Sequence, residues 1–237
     1  REPDAWVPNQ YGGNENLEAI ELLRHTNHVV NSEFPGVATI AEESTAWPGV
    51  TQSVAAGGLG FTFKWDMGWM HDTLAYFMRD PVHRPWHQNQ LTFASSYRDQ
   101  EHYMLPLSHD EVVHEKRSLL GRMPGGEWQQ FSNLKVLLGY QWLFTGKPLL
   151  FMGGEFGQRT EWDEDEEIDW NSLEPGNLPA GLQQWVSDLN HLYRDEPALW
   201  AGDYSEPGFF WVDCKDHLNS VACFVRQTPE FDRCVLV

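Results

Sequence analysis

The sequence is poor in cysteine and contains no apolar run that approaches the length of a membrane-spanning helix. Its three cysteines, Cys214, Cys223 and Cys234, lie near the C-terminus without a C-x-x-C spacing. An odd number of this kind is typical of free thiols in a reducing compartment, so we expect a cytoplasmic protein without a disulfide framework. The missing apolar run argues against a transmembrane helix.

Basic residues are also scarce. The 237 residues include 16 lysines and arginines against 35 aspartates and glutamates, which gives a net charge of −19. Nucleic acids and anionic membranes both require a basic protein face, so we expect neither as a partner. The charge balance favours a neutral ligand.

Several sequence motifs of cofactor, metal and serine chemistry are missing. No G-x-S-x-G is present, so a hydrolase serine elbow is excluded. The stretch GGLG at 57–60 lacks G-K-[ST] and precedes a strand pattern, so it is not a phosphate loop. The acidic stretch EWDEDEEIDW at 161–170 lacks the glycine of an EF-hand turn, which favours a solvated loop over a calcium site. We therefore expect neither a cofactor nor a metal.

Aromatic residues, in contrast, are abundant, with 12 Trp, 13 Phe and 7 Tyr. One interpretation is a large aromatic core. The other is that some of the rings line a cleft, because their flat apolar faces suit the C–H faces of sugar rings.

Four short apolar runs each lead into a polar cluster. They are GVATI at 36–40, FTFKW at 61–65, YMLPL at 103–107 and KPLLFM at 147–152. Runs that are apolar on both alternations are typical of strands buried on both faces in a parallel sheet. Pro106 disfavours a central strand in the third run.

Helical patterns lie between these runs, at 14–34, 69–78, 129–144 and 182–194. Asn14 or Asn16 is available as N-cap of the first helix, and Pro197 ends the last.

Four strand–helix units are about half of an eight-unit barrel, which needs roughly 250 residues. We predict an α/β fold, with a partial (β/α)8 barrel over residues 1–202. The short strand patterns without helices after it predict the start of an antiparallel β domain over residues 203–237.

Acidic residues follow the predicted strand ends, where barrels carry the side chains that do chemistry. A carboxylate-lined cleft is therefore expected. The acidic residues are Glu42, Glu43, Asp66, Asp110, Glu111 and Glu155, and His109 lies at one of the same strand ends.

The stretch SHDEVVHEK at 108–116 allows three interpretations. A helical metal site needs two histidines four residues apart, but His109 and His114 are five apart, which disfavours a metal. The charges could merely cap the next helix. We favour acid chemistry, in which Asp110 acts with Glu42 or Glu43, because glycoside cleavage needs one carboxyl group that donates a proton and another that stabilises an oxocarbenium-like centre.

The motifs TIAEEST, LPLSHDEVVH, LLFMGGEFGQ and EIDW resemble those of the 1,4-α-glucan (glycogen) branching enzymes of the α-amylase superfamily. The resemblance implies the C-terminal half of the barrel and an α-1,4-glucan, such as glycogen or amylose, as the substrate. It implies Glu42 as the general acid/base and Asp110 as the acid that stabilises the transition state. His109 would hydrogen-bond the sugar at the −1 position.

Two further features depend on this resemblance. Trp65 and Trp69 flank a predicted strand end and are candidates for contact with sugar, with core packing as the alternative for each. Glu115 stands where the pattern of the family has glycine.

The nucleophile of the family is an aspartate in a D-G-x-R-x-D motif, which this sequence does not contain. A retaining mechanism cannot proceed without it, so we expect the chain alone to be inactive. Both ends read as cut, and we expect a fragment of a longer protein that self-associates if made alone. A related α-glucan hydrolase, of the amylase or trehalohydrolase type, and a non-catalytic glucan-binding remnant are the alternatives.

Overall fold

The computed structural model describes residues 6–237. The chain divides into two compact units, Arg1–Trp65 and Asp66–Val237. Within the described residues, no helix has the length and apolar character needed to cross a membrane.

The first unit contains one long helix and a short pair of parallel strands. Helix α1 spans Leu17–Glu33, and Asn16 caps it by accepting a hydrogen bond from the Ala19 N–H at 2.9 Å. Strand β1, Ile40–Ala41, pairs in parallel with β2, Phe63–Trp65, and Ala41 lies opposite Lys64. The prediction of a helix and two parallel strands is confirmed, although both strands are shorter than the apolar runs indicated.

The second unit continues the alternation of helices and strands. Its helices are α2 (Met67–Phe77), α3 (Asn89–Thr92), α4 (Leu119–Arg122), α5 (Glu127–Leu143) and α6 (Leu178–Asp195). Its parallel strands are β3 (Tyr103–Leu107) and β4 (Lys147–Leu150). The three long helices confirm the predicted patterns within four residues at each end.

Pro106 lies inside β3, opposite Leu149 of β4. The Leu107 carbonyl accepts a hydrogen bond from the N–H of Phe151, so Leu107 directs its backbone groups toward β4. Adjacent residues of a strand direct these groups to opposite sides, and Pro106 therefore points its missing donor away from β4. The pairing of the two strands loses no hydrogen bond to the proline.

A three-stranded antiparallel sheet ends the chain. Its strands are β5 (Phe209–Asp213), β6 (Cys223–Gln227) and β7 (Cys234–Leu236), in that order. The ring of Phe144, at the end of α5, contacts the rings of Phe209 and Phe224 at centroid distances of 5.2 and 6.1 Å. The sheet thus shares an aromatic core with the helices of the second unit. The three cysteines are free.

Candidate active site

A tight turn follows β3 and carries the histidine and the aspartate of the SHDE stretch. Ser108 is the N-cap of one turn of 3₁₀ helix, His109–Val112. The Glu111 carboxylate folds back and accepts hydrogen bonds from the Ser108 N–H at 2.6 Å and from its hydroxyl at 2.7 Å. This reciprocal cap fixes the end of the strand and the start of the turn together.

The same turn presents His109 and Asp110 to solvent. Their side chains are 45% and 43% exposed, and His109 Nε2 lies 3.3 Å from Asp110 Oδ1. The ammonium group of Lys116 donates to the Asp110 carbonyl at 2.8 Å. An imidazole and a carboxylate held side by side at a strand end can hydrogen-bond the hydroxyl groups of a polar ligand.

Two aromatic rings from the segment after β4 stand beside this pair. The ring centroid of Phe151 lies 6.0 Å from that of His109, and the Trp162 ring meets Phe151 edge-on at 5.3 Å. The backbone N–H of Trp162 donates to the Val112 carbonyl at 2.9 Å, and this hydrogen bond connects the two segments. Neither ring is among the site residues predicted from the sequence. Phe151 lies in the apolar run at 147–152, next to a predicted strand end, and that position could have identified it.

The backbone just after the turn is left-handed at three residues that are not glycine. The φ angles are 57° at His114, 64° at Glu115 and 67° at Arg117. The Glu161 carboxylate accepts from the N–H groups of Glu115 at 3.0 Å and of Arg117 at 2.5 Å. Glycine adopts this conformation without a steric cost. The left-handed backbone explains why a glycine would suit position 115, and the two hydrogen bonds to Glu161 stabilise this conformation with glutamate in its place.

In the first unit, the segment after β1 carries two adjacent glutamates with different surroundings. Glu42 is exposed. Glu43 Oε1 accepts a hydrogen bond from the Thr45 N–H at 2.7 Å, and the buried Lys64 ammonium donates to the Thr45 carbonyl at 3.0 Å. The hydrogen bonds to Thr45 lower the pKa of Glu43 against the opposing effect of its partial burial, and the charge of Lys64 lowers it further. Glu43 is therefore ionised at neutral pH.

Trp69 lies in the core of the second unit and not on a cleft wall. Its side chain is 1% exposed, and its ring stacks on that of Tyr140 at 6.3 Å with an angle of 17° between the planes. A ring enclosed in this way offers no face to a sugar, so the core alternative applies to Trp69. Trp65, the last residue of β2, is partly exposed.

Two other strand-end carboxyl groups differ from the expected cleft position. Asp66 is 5% exposed, and its Oδ1 accepts from the Trp69 N–H at 2.8 Å and from the Tyr97 hydroxyl at 2.9 Å. It caps α2 and does not line a cleft. Glu155 is partly buried in a 3₁₀ turn, Gly154–Phe156. Of the acidic candidates in the second unit, Asp110 is the exposed one that lies beside a histidine.

Residues 6–237 hold no group of three or more His, Cys, Asp and Glu side chains able to bind a metal ion. The acidic stretch 161–170 is largely exposed, and Asp163 Oδ1 accepts from the Asp165 N–H at 3.0 Å within it.

Solved structures of an α-amylase and of AmyP share this fold. The α-amylase from H. orenii matches 98% of this chain and 48% of its own, with a TM-score of 0.61 and 14% identity. AmyP, solved with maltose, matches 92% of this chain and 50% of its own, with a TM-score of 0.61 and 15% identity. These likenesses confirm the predicted fold, which is the C-terminal half of a (β/α)8 barrel followed by the first strands of a β domain.

Curated relatives are much more similar in sequence. The 1,4-alpha-glucan branching enzyme GlgB of Paramagnetospirillum magneticum is 56% identical over 227 residues, which are 96% of this chain and 30% of that protein. The GlgB of Cupriavidus necator is 54% identical over 237 residues, which are 100% of this chain and 31% of that protein. No protein-family model matches the chain. Along nearly its whole length, the chain is thus related to the 1,4-alpha-glucan branching enzymes, and it spans about a third of the length of these relatives.

Proposed function

We propose that this chain is the part of a 1,4-α-glucan branching enzyme that carries its acid/base and its transition-state carboxylate. The observation that supports this most is the identity of 54 to 56% with two branching enzymes over nearly the entire chain. The longer protein cleaves an α-1,4 bond in a glucan and transfers the released chain to a 6-hydroxyl, which creates an α-1,6 branch. We place it in the cytoplasm, with which free thiols are compatible.

Glu42 is the general acid/base in this proposal. A general acid must hold its proton at the pH of the reaction, so its pKa has to be raised toward neutrality. Glu43 has the opposite property, because its hydrogen bonds to Thr45 lower its pKa. The lowered pKa of Glu43 argues against Glu43 as the general acid, and this supports the assignment to its exposed neighbour Glu42.

Asp110 stabilises the positive charge that develops at the anomeric carbon, and His109 hydrogen-bonds the hydroxyl groups of the same sugar. Their contact at 3.3 Å and their exposure at the end of β3 support these roles. Trp65 is the remaining candidate for contact with the glucan, since it is partly exposed at the end of β2.

The retaining mechanism also needs a nucleophile, which we assign to an aspartate in a D-G-x-R-x-D motif of the longer protein. Glu42 donates its proton to the glycosidic oxygen as this aspartate attacks the anomeric carbon and the bond to the leaving chain breaks. Glu42 then takes the proton of the acceptor 6-hydroxyl, whose oxygen displaces the aspartate and forms the α-1,6 bond.

Product analysis of amylose treated with the full-length protein tests this function. A branching enzyme creates α-1,6 linkages without a matching rise in reducing ends. A rise in reducing ends without α-1,6 linkages would establish a hydrolase instead. Retardation of the protein by glucan in a native gel, without turnover, would identify a binding module.

A further inference from the structure

We propose that Glu111 is a positioning residue that holds Asp110 and His109 in their reactive orientation. Glu111 follows Asp110 in the chain, but its side chain turns inward. The residue as a whole is 4% exposed. The consequence for catalysis rests on the proposed function, whereas the consequence for the geometry of the turn does not.

A continuous series of hydrogen bonds leads from the Glu111 carboxylate to the backbone of Asp110. Oε2 of Glu111 accepts from the Ser108 hydroxyl at 2.7 Å, and the oxygen of that hydroxyl accepts from the Asp110 N–H at 3.3 Å. The same carboxylate oxygen accepts from the Ser108 N–H at 2.6 Å. The orientation of the peptide that precedes Asp110 therefore depends on where Glu111 places its carboxylate.

Two basic side chains, Lys116 and Arg122, hold the other side of the turn. Lys116 donates to the Asp110 carbonyl at 2.8 Å, and the guanidinium of Arg122 donates to the Glu111 carbonyl. Asp110 is thus fixed at its N–H through Ser108 and at its carbonyl through Lys116. These two hydrogen bonds restrain the backbone of Asp110 on both sides, and they thereby set the position from which its side chain extends toward His109.

A buried carboxylate carries a desolvation cost that a neutral cap would avoid, so its presence needs a physical reason. Glu111 provides one oxygen that accepts two donors, and a charged acceptor makes shorter and stronger hydrogen bonds than a neutral one. The charge of Arg122 lies near enough to Glu111 to offset part of the cost. A stiff turn results, and stiffness is what a transition-state carboxylate requires.

Three variants of the full-length protein separate positioning from simple stabilisation. Glu111→Ala removes the acceptor, and Glu111→Gln keeps an acceptor oxygen of the same reach without the charge. Ser118→Ala is the matched control, because Ser118 is also buried and also caps a short helix nearby. Its hydroxyl accepts from the Gly121 N–H at 3.1 Å and donates to the Arg159 carbonyl at 2.9 Å.

The readouts are kcat and KM for branching of amylose, and amide hydrogen exchange of the peptide that contains residues 108–112. We expect Glu111→Ala to lower kcat by about 10²-fold, the loss typical of a displacement of about 1 Å, with little change in KM. Glu111→Gln should recover only part of kcat, because it keeps the acceptor oxygen but loses the charge that strengthens both hydrogen bonds. Ser118→Ala should leave kcat unchanged. The thermal stability of the Ser118→Ala protein, measured as its Tm, should fall by about as much as that of the Glu111→Ala protein.

Each outcome decides the proposal. If the wild-type protein branches glucan and Glu111→Ala retains its kcat, positioning by Glu111 is overturned and the proposed function stands. If the wild-type protein does not branch glucan, the proposed function fails, and hydrogen exchange alone decides. Faster exchange of residues 108–112 in Glu111→Ala than in Ser118→Ala would then support positioning, and equal exchange would overturn it.

Discussion

Asp203 and Arg226 form an ion pair in which neither side chain has any exposed surface. Asp203 follows α6, and Arg226 lies in β6 of the antiparallel sheet. Asp203 Oδ2 also accepts from Lys147 of β4 at 2.7 Å, and Arg226 donates to the Phe144 carbonyl at 2.5 Å. The pair thus connects the residues predicted to begin a β domain with a barrel strand and a barrel helix. The predicted boundary at residue 203 itself stays a prediction.

Removal of Arg226 leaves a buried carboxylate without its main partner. We expect Arg226→Met to lower the free energy of unfolding by about 3–5 kcal/mol, as measured by urea unfolding followed by tryptophan fluorescence. Arg194→Met is the control, because Arg194 and Asp195 form an exposed ion pair at the end of α6, and no measurable loss is expected there. Equal midpoints for the two variants would contradict a structural role of the buried pair.

The two glutamates after β1 should respond differently to the loss of their charge. We expect Glu42→Gln to lower kcat of the full-length enzyme by about 10²–10⁴-fold, the range for a general acid/base. Glu43→Gln removes a carboxylate that is bound to the Thr45 N–H, so kcat should fall much less. A larger loss of kcat in Glu43→Gln than in Glu42→Gln would reverse the assignment.

The two tryptophans that flank the end of β2 should separate stability from substrate binding. Trp69→Ala leaves a cavity in the core beside Tyr140, and we expect a loss of about 3–5 kcal/mol in the free energy of unfolding. Trp65→Ala should raise KM for amylose, with a smaller loss of stability, because its ring is partly exposed. An unchanged KM in Trp65→Ala would remove this residue from the proposed substrate contacts.

Buried tyrosines should make stability fall at high pH. Burial raises the pKa of Tyr103 to about 12, and the carboxylates of Asp66 and Glu101 add to the shift. Burial is also the main cause that raises the pKa values of four other tyrosines well above their ordinary range, namely Tyr97, Tyr140, Tyr193 and Tyr204.

The sign of the effect follows from where the protons are held. Tyrosine has an ordinary pKa of 10.0, so above that pH the unfolded chain loses protons that the folded chain keeps. The stabilisation is complete below pH 10 and is lost as the pH rises through about 12 and beyond. Ultraviolet difference spectra should show fewer than the 7 tyrosines ionised in the folded protein between these pH values, and all of them after addition of urea. Ionisation of every tyrosine near pH 10 in the folded protein would contradict these environments.

Periodic patterns made the helices and strands predictable. In α6, Leu182, Val186 and Leu189 follow the helical repeat and are buried. Strand β3 was predicted with its observed bounds in spite of Pro106. The direction of its backbone groups explains the tolerance of proline, but a sequence does not reveal which side of a strand faces a neighbour.

The side chains of the candidate site were less predictable, because their roles depend on contacts between distant residues. Glu42 and Glu43 are adjacent and chemically identical, and they differ in exposure, in the hydrogen bond from Thr45 and in the nearby charge of Lys64. Trp69 reads as a strand-end aromatic, yet the packing of α2 against α5 encloses it next to Tyr140. Glu111 reads as one more acid in a polar stretch, and its inward turn depends on Ser108.

The most direct measurement compares the 237-residue chain with the full-length protein in the formation of α-1,6 linkages on amylose, followed by proton NMR of the glucan. We expect the full-length protein to form branches and this chain alone to form none, because its sequence contains no D-G-x-R-x-D nucleophile. Branch formation by the chain alone would contradict the assignment of the nucleophile to the rest of the protein. The absence of branches with the full-length protein would contradict the proposed function.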